Sequence, residues 1–142
     1  MSIRAMLPRD AKAVAKLWRS TKELWPDDKI KFQSEKSLKE WLSDKGNDLL
    51  IVYEKNQKII GFLTATVLPY KSACIDDLAV VPVQRGKGIA GELHDYAIKY
   101  FKNKKVEFVY CWVKGESQSS RRFWKKKGFN EGKSFVFAWK TI

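Results

Sequence analysis

One stretch governs what this chain can become. The β-branched and apolar run from Ala73 to Val81 is closed by Pro82, and Arg85-Gly86-Lys87-Gly88-Ile89-Ala90-Gly91 follows almost at once. Apolar residues then recur at helical spacing, with Ile89, Leu93, Ala97 and Tyr100/Phe101 on one face. A strand, a glycine turn and an amphipathic helix in that order require a layered α/β arrangement, because the helix must lay its apolar stripe back on the sheet.

Gly86 to Gly91 formally matches the G-x-G-x-x-G pattern of dinucleotide-binding folds. That reading fails on length, since only 51 residues follow Gly91 and a second mononucleotide-binding half needs more. It also lacks the acid expected at the end of the next strand, where Glu107 stands at the start instead. A Walker loop is excluded at this turn because Gly88, not Ser or Thr, follows Lys87. What remains is the physics common to such turns. Glycines let backbone N–H groups approach a phosphate, and the helix N-terminus adds about half a positive charge. Arg85 and Lys87 contribute two more charges, so the turn predicts a polyphosphate ligand.

The remaining elements fall on either side of this unit. Ile3 to Met6 reads as a short strand, and after Pro8 a helix carries Val14, Leu17, Trp18, Thr21 and Leu24 until Trp25-Pro26-Asp27-Asp28 ends it. A second helix is expected from about Ser37, with Ser37 and Glu40 as a capping box and Leu38, Trp41 and Leu42 as the buried stripe. Leu49 to Tyr53 and Ile59 to Val67 read as strands joined by a hairpin at Lys55-Asn56-Gln57-Lys58. Val106 to Val113 reads as a strand, Ser117 to Lys127 as a helix, and Phe135 to Trp139 as a last strand. The order β-α-α-β-β-β-α-β-α-β mixes hairpins with crossovers, which predicts an α/β (α+β) fold with a mixed central sheet and helices on both faces. With 142 residues and no linker or repeat, one domain spanning 1–142 is expected.

Composition narrows the function. The net charge of +12 is skewed: residues 1–60 hold 13 basic and 9 acidic side chains, residues 61–142 hold 15 and 7. The C-terminal half therefore expects an anion, either a polyphosphate cofactor or nucleic acid. Cys74 and Cys111 lack metal-ligand spacing, and with one histidine in the chain no metal site is expected. Both cysteines read as reduced core thiols. The chain has no apolar run near the roughly 18 residues a membrane helix needs, nor the apolar stretch of a signal peptide, so a cytoplasmic location is expected.

The segment Ile75-Asp76-Asp77-Leu78-Ala79-Val80-Val81-Pro82-Val83-Gln84-Arg85-Gly86-Lys87-Gly88-Ile89-Ala90 resembles the central motif of the GNAT acetyltransferases, a strand ending in Leu-x-Val-x-Pro followed by Arg/Gln-x-x-Gly-x-Gly/Ala. Phe123-Trp124-Lys125-Lys126-Lys127-Gly128-Phe129 is similar to the family's second motif, aromatic-x-x-x-Gly-Phe at the end of a helix. Ile3-Arg4 with Asp10 looks like the family's opening strand and helix, and Ile59-Ile60-Gly61-Phe62 like its third strand, so the likeness spans the chain.

The resemblance implies acetyl-coenzyme A (acetyl-CoA) as the bound cofactor. Its phosphates would sit on Arg85, Gly86, Lys87, Gly88, Ile89, Ala90 and Gly91, and its pantetheine arm would lie between two splayed strands, Cys74–Val81 and Val106–Val113. The backbone of Leu78, Ala79 and Val80 would pair with that arm, with a Val80 N–H facing the thioester oxygen. Ser117 and Ser120 stand where the family often has Asn and Ala, Phe123 beside the arm, and Lys127 with Arg121, Arg122, Lys125 and Lys126 near the adenosine phosphates. Asp76 and Asp77 lie where many members carry a carboxylate base. Strand alternation lets one of them face the cleft, and Asp76 is preferred; Glu54 and Glu116 are weaker candidates. Many members protonate the thiolate from a tyrosine, but Trp124 stands there and an indole N–H donates a hydrogen bond without releasing its proton. A thiolate of ordinary pKa, about 8.5, leaves without full protonation.

The function so implied is N-acetyl transfer from acetyl-CoA to a primary amine by direct attack in a ternary complex. The alternative is a non-catalytic CoA-binding or RNA- or ribosome-binding module on the same fold. The positive surface leans towards an acidic protein or a small metabolite as acceptor unless a local acidic patch intervenes. Trp18, Trp25-Pro26, Trp41 and the turn at Tyr70 would border the acceptor cleft. Nucleic acid is a less favoured partner, no membrane partner is expected, and monomer and homodimer both stay open.

Overall fold

The computed structural model describes residues 2–142. Strand β1 (Ser2–Ala5) leads through a 3-10 turn at Pro8–Asp10 into helix α1 (Ala11–Ser20), and helix α2 (Glu35–Ser43) follows. Strands β2 (Leu49–Lys55), β3 (Lys58–Leu68) and β4 (Ser72–Val80) come next, then helix α3 (Ile89–Asn103), strand β5 (Phe108–Cys111) and helix α4 (Gln118–Lys126). The sheet order is β1-β2-β3-β4-β5, antiparallel from β1 to β4, with β5 parallel to β4 across the α3 crossover. The sheet is mixed, with helices on both faces, as the periodicities require.

Two apolar clusters hold the layers together. On one face, Val14, Leu17 and Trp18 of α1 and Leu38 of α2 pack on Leu50, Val52, Phe62 and Ala79. On the other, Leu93, Ala97 and Phe101 of α3 pack on Ile51, Leu63, Ala65, Ala73 and Ile75, with Trp124 and Phe129 against the same cluster. Trp18 is completely enclosed, and replacing such a ring by Ala costs about 3–5 kcal/mol. Gly61 permits the close approach of α3: a Cβ there would lie 3.1 Å from the Ala79 carbonyl oxygen and 3.3 Å from Leu93 Cδ1.

The local signals are mostly realised. Asn56 and Gln57 both take positive φ, 51° and 63°, as a two-residue hairpin turn between strands of right-handed twist requires. Asp10 enters the opening turn as the acceptor of two bonds from Arg4, at 2.7 and 3.0 Å, and one from the Leu7 N–H at 2.8 Å. Burial alone would raise the Asp10 pKa, but the Arg4 guanidinium and the Leu7 N–H hold it below the ordinary carboxylate value.

Four expectations need correction. The helix expected to run on through Thr21 and Leu24 ends at Ser20, where Thr21 turns extended and a separate 3-10 turn forms at Lys22–Leu24. Helix α2 begins two residues before Ser37, because Ser34 is its N-cap: the Ser34 and Ser37 side chains each accept the other's backbone N–H, and Ser37 occupies the position expected of Glu40. The strand expected at Val106–Val113 is confined to Phe108–Cys111, since the Val106 N–H still bonds to the Phe101 carbonyl and pairing with β4 stops at Ile75↔Cys111. The Phe135–Trp139 run is not a strand here. Alternation specifies the two faces of an extended segment but supplies no ladder, and among the described residues no backbone hydrogen bond involves 130–142. The same segment contains Gly132-Lys133-Ser134, which precedes no helix and so makes no phosphate loop.

Candidate functional site

The site grows out of a failure of pairing. Strands β4 and β5 are held side by side only from Ser72↔Phe108 to Ile75↔Cys111; β4 runs on to Val80 while β5 ends. Beyond that point β4 has no ladder partner on that side, and a cavity of about 240 Å³ opens beside its end. Its wall is built from three sources: Leu78, Ala79 and Val80 at the end of β4; Gln84, Arg85, Gly86, Ile89 and Ala90 of the turn and first turn of α3; and Ser119, Ser120, Phe123 and Trp124 of α4. Thr21 and Glu23, just past α1, close the remaining side.

The turn is built to meet an anion. Gly86 and Gly88 have φ of 78° and 83°, a conformation in which glycine alone is unstrained, and a Cβ at either would meet nothing within 4 Å. Conformation, not crowding, therefore selects glycine here. Gly88 caps α3 without a side-chain bond, so the first-turn N–H groups of the helix remain free for a ligand. Arg85 turns back to donate from Nε to the Val80 carbonyl at 2.9 Å, which ties the turn to the end of β4. Lys87 Nζ donates to Gln84 Oε1 at 3.3 Å.

Of the residues expected at the site, Leu78, Ala79, Val80, Arg85, Gly86, Ile89, Ala90, Ser120 and Phe123 share the cavity wall. Lys87, Gly88, Gly91, Ser117 and Lys127 lie outside it. Ser117 donates its hydroxyl proton to Ser120 Oγ at 2.8 Å and so backs a wall residue. Lys127 packs its ammonium over Gly91 and bonds Asp95 at 3.2 Å, joining the end of α4 to α3. Arg121 makes a two-pronged bond to Glu131 at 2.8 and 2.9 Å, and Lys125 approaches the same carboxylate. Thr21, Glu23, Gln84 and Ser119 are wall residues that the sequence analysis does not assign; nothing local marks the first two, while Gln84 adjoins Arg85 and Ser119 adjoins Ser120.

Asp76 and Asp77 lie outside the wall, on the face covered by α1 and α2. The pairing register jumps from Thr64↔Asp77 to Ala65↔Ile75, so Asp76 is an extra, bulged residue. The bulge overturns the expectation that only one carboxylate faces a given side. Thr64 and Thr66, two apart on β3 and hence on one face, donate to Asp77 at 2.9 Å and to Asp76 at 2.7 Å. Asp77 also accepts from Trp18 Nε1 at 2.8 Å. Burial pushes Asp77 up to about 6; the Trp18 and Thr64 donors oppose the rise and Asp76 adds to it. Burial raises Asp76 too, against the bond from Thr66, but its side chain remains open to solvent, which weakens the effect.

The other candidates are structurally engaged. Glu54 is paired with Arg4 at 2.9 Å at the far side of the sheet. Trp18 and Trp25 are core residues, Trp41 donates to Asp48 at 2.9 Å, and Tyr70 is exposed at a hairpin. His94 is buried edge-on against Phe123, Trp124 and Phe129, with Nδ1 beside Asp95. Cys74 is buried and Cys111 half-buried, both as free thiols that burial pushes up to about 12. No group of three or more His, Cys, Asp or Glu able to hold a metal occurs among the described residues, and no helix there is long and apolar enough to cross a membrane.

Comparison with known proteins agrees with this geometry. Residues 12–129 match the model of the acetyltransferase (GNAT) family. An uncharacterized N-acetyltransferase of Methanocaldococcus jannaschii is 32% identical over 105 residues, which are 70% of this chain and 46% of that protein. The chain therefore spans less than half the length of this archaeal relative. An uncharacterized N-acetyltransferase of Bacillus subtilis is 27% identical over 141 residues, covering 96% of this chain and 94% of its own. Among solved structures, AAC(6')-Iy in complex with the bisubstrate analogue CoA-S-monomethyl-acetylneamine has the same fold, with a TM-score of 0.79 at 18% identity over 99% of this chain and 98% of that one.

Proposed function

Because this chain belongs to the GNAT acetyltransferase family, we propose that it is an enzyme that transfers the acetyl group of acetyl-CoA to a primary amine, by direct attack within a ternary complex. The observation that carries the reading is the end of β4–β5 pairing at Ile75↔Cys111, which leaves the end of β4 unpaired on that side beside the two left-handed glycines that lead into α3. The residues fit the cofactor: open space lies in front of Gly86 and Gly88, the first-turn N–H groups are free, and Arg85 and Lys87 flank them. Arg85, Gly86, Lys87, Gly88, Ile89, Ala90 and Gly91 would hold the phosphates, and the backbone of Leu78, Ala79 and Val80 the amide-bearing arm. Ser120, supported by Ser117, and Phe123 would line the opposite wall, with Lys127 anchoring that wall to α3. Acetyl-CoA supplies an activated thioester carbonyl. A backbone N–H near Val80 is the donor for charge that develops on the carbonyl oxygen.

An amine must lose its proton to attack, and a carboxylate with pKa about 6 is largely ionised at neutral pH yet basic enough to take that proton. Asp77 is therefore assigned the general base, acting through an intervening water because its oxygens already receive Trp18 and Thr64. Glu23 places a carboxylate on the cavity wall, a local negative charge within a chain of +12. Such a charge favours a small cationic amine over the acidic acceptor that net charge alone suggests. The acetylneamine analogue bound by AAC(6')-Iy is consistent with an acceptor of that class.

Calorimetry with acetyl-CoA tests the cofactor site, comparing the wild type with Gly88→Glu, which places bulk and negative charge at the turn. Micromolar binding lost in the variant, with thiol release when polyamines, aminoglycosides or lysine peptides are added, is the expected result. Absence of acetyl-CoA binding by the wild type would overturn the cofactor reading. Cofactor binding without thiol release, accompanied by salt-sensitive RNA binding, would favour a non-catalytic module.

A further inference from the structure

The connection between α1 and α2 hides one polar side chain. Phe32 is 59% exposed and Ser34 is half-buried, yet Gln33 between them is only 6% exposed. A buried amide must satisfy both an oxygen and a nitrogen, so its surroundings determine which way it faces.

Three contacts fix it. Arg19 of α1 donates from one guanidinium nitrogen to the Lys31 carbonyl at 2.7 Å and to the Gln33 carbonyl at 3.4 Å, which pins the backbone. Ser37, in the first turn of α2, sets the side chain. Its hydroxyl lies 2.8 Å from Gln33 Oε1 and 3.0 Å from the Ser34 carbonyl, and the shorter contact goes to the amide oxygen. With that oxygen committed to Ser37, the amide turns its nitrogen the other way, where it reaches Asp77 as a donor. The reverse orientation would set an amide oxygen against a carboxylate.

The groups that face Asp77 are then Trp18 of α1, Thr64 of β3, Gln33 and, as the charged one, its neighbour Asp76. Trp18 and Thr64 take one carboxylate oxygen each, at 2.8 and 2.9 Å, and both stand on regular elements. Gln33 alone comes from the connecting segment, which also carries the wall residues Thr21 and Glu23.

We infer that Gln33 is a positioning residue for the base: its amide, oriented by Ser37 and Arg19, aims an N–H at the Asp77 carboxylate and holds it in the ionised form that accepts the amine proton. The inference rests on the assignment of Asp77 as base. A donor to the charged form of a carboxylate lowers its proton affinity, so Gln33 acts with Trp18 and Thr64 against the effect of burial.

Gln33→Met keeps length and bulk but removes both polar atoms. Gln33→Glu keeps an acceptor for Ser37 and replaces the donor by a second carboxylate oxygen. The Asp77 carboxyl carbon, followed by carbon-13 NMR and identified by its loss in Asp77→Asn, should titrate about half to one pH unit higher in Gln33→Met, the worth of one hydrogen bond. It should titrate higher still in Gln33→Glu. Ser37→Ala, which leaves Gln33 in place and releases its oxygen, should give a smaller rise. The kcat/KM inflection should follow, so that activity lost in Gln33→Met near about pH 6 is recovered by about pH 8. A folding defect alone would lower activity at every pH. Acetyl-CoA affinity should be unchanged, because Gln33 is not on the cavity wall. Asp77 titrating alike in all four proteins would overturn the role of Gln33 and leave Asp77 as the base. A carboxyl that shifts while the kinetic inflection stays fixed would overturn the base assignment, and this inference with it.

Discussion

Asp77 carries two consequences that can be separated by pH. Burial raises its folded pKa to about 6, so its contribution to stability is complete below the ordinary carboxylate range and is lost as pH rises through about 6. Asp77→Asn should therefore melt at a higher temperature than the wild type above pH 6, with the advantage gone near pH 4. The same variant should lose about 10²–10⁴-fold in kcat/KM if Asp77 is the base. The wild-type kcat/KM should rise with pH through an apparent pKa near 6. Trp18→Phe, which removes the indole donor while keeping an aromatic ring, should move that inflection upward. An unchanged pH profile in Asp77→Asn would exclude it as the base. Two adjacent aspartates were visible in the sequence, yet their common facing was not, because a bulge is a property of the pair of strands.

At the level of elements, capping and turn chemistry were legible, and boundaries were set by partners. Ser34→Ala removes one half of a reciprocal cap and should cost about 1 kcal/mol in denaturant unfolding, with Ser37→Ala similar and the double variant less than additive. Asp10→Ala strips Arg4 of its main partner in a half-buried setting and leaves the Leu7 N–H unbonded, so a larger loss, about 2–4 kcal/mol, is expected from the same measurement. The strand, glycine turn and helix from β4 to α3 could be read directly, since glycine at positive φ and apolar spacing are local demands. The ends of β5 could not, because they depend on where β4 stops being a neighbour. Ser37 belongs to the cap, as its spacing predicts, but at the third helical position and not as the N-cap, since Ser34 and Ser37 have the same side chain and spacing alone admits either.

Across the whole molecule, the unequal burial of the two cysteines predicts a graded thiol reactivity. Cys74 is enclosed between β3, β5 and their neighbours, whereas Cys111 is half-open on β5, and both thiols have raised pKa values. Mass spectrometry after alkylation should find Cys111 modified slowly in the native protein and Cys74 only as denaturant opens the sheet; equal native rates would contradict the burial described. The sequence by itself determined the layered α/β class, the glycine turn at the head of α3 and the apolar stripes that meet the sheet, because each follows from the conformational limits and spacing of neighbouring residues. Only the tertiary structure decided that Glu23 joins the cavity wall, that Asp76 and Asp77 share a face, and that the aromatic C-terminal segment finds no partner strand within its own chain. Those outcomes rest on distances between residues far apart in sequence, which pairing registers and packed faces set and local spacing does not encode.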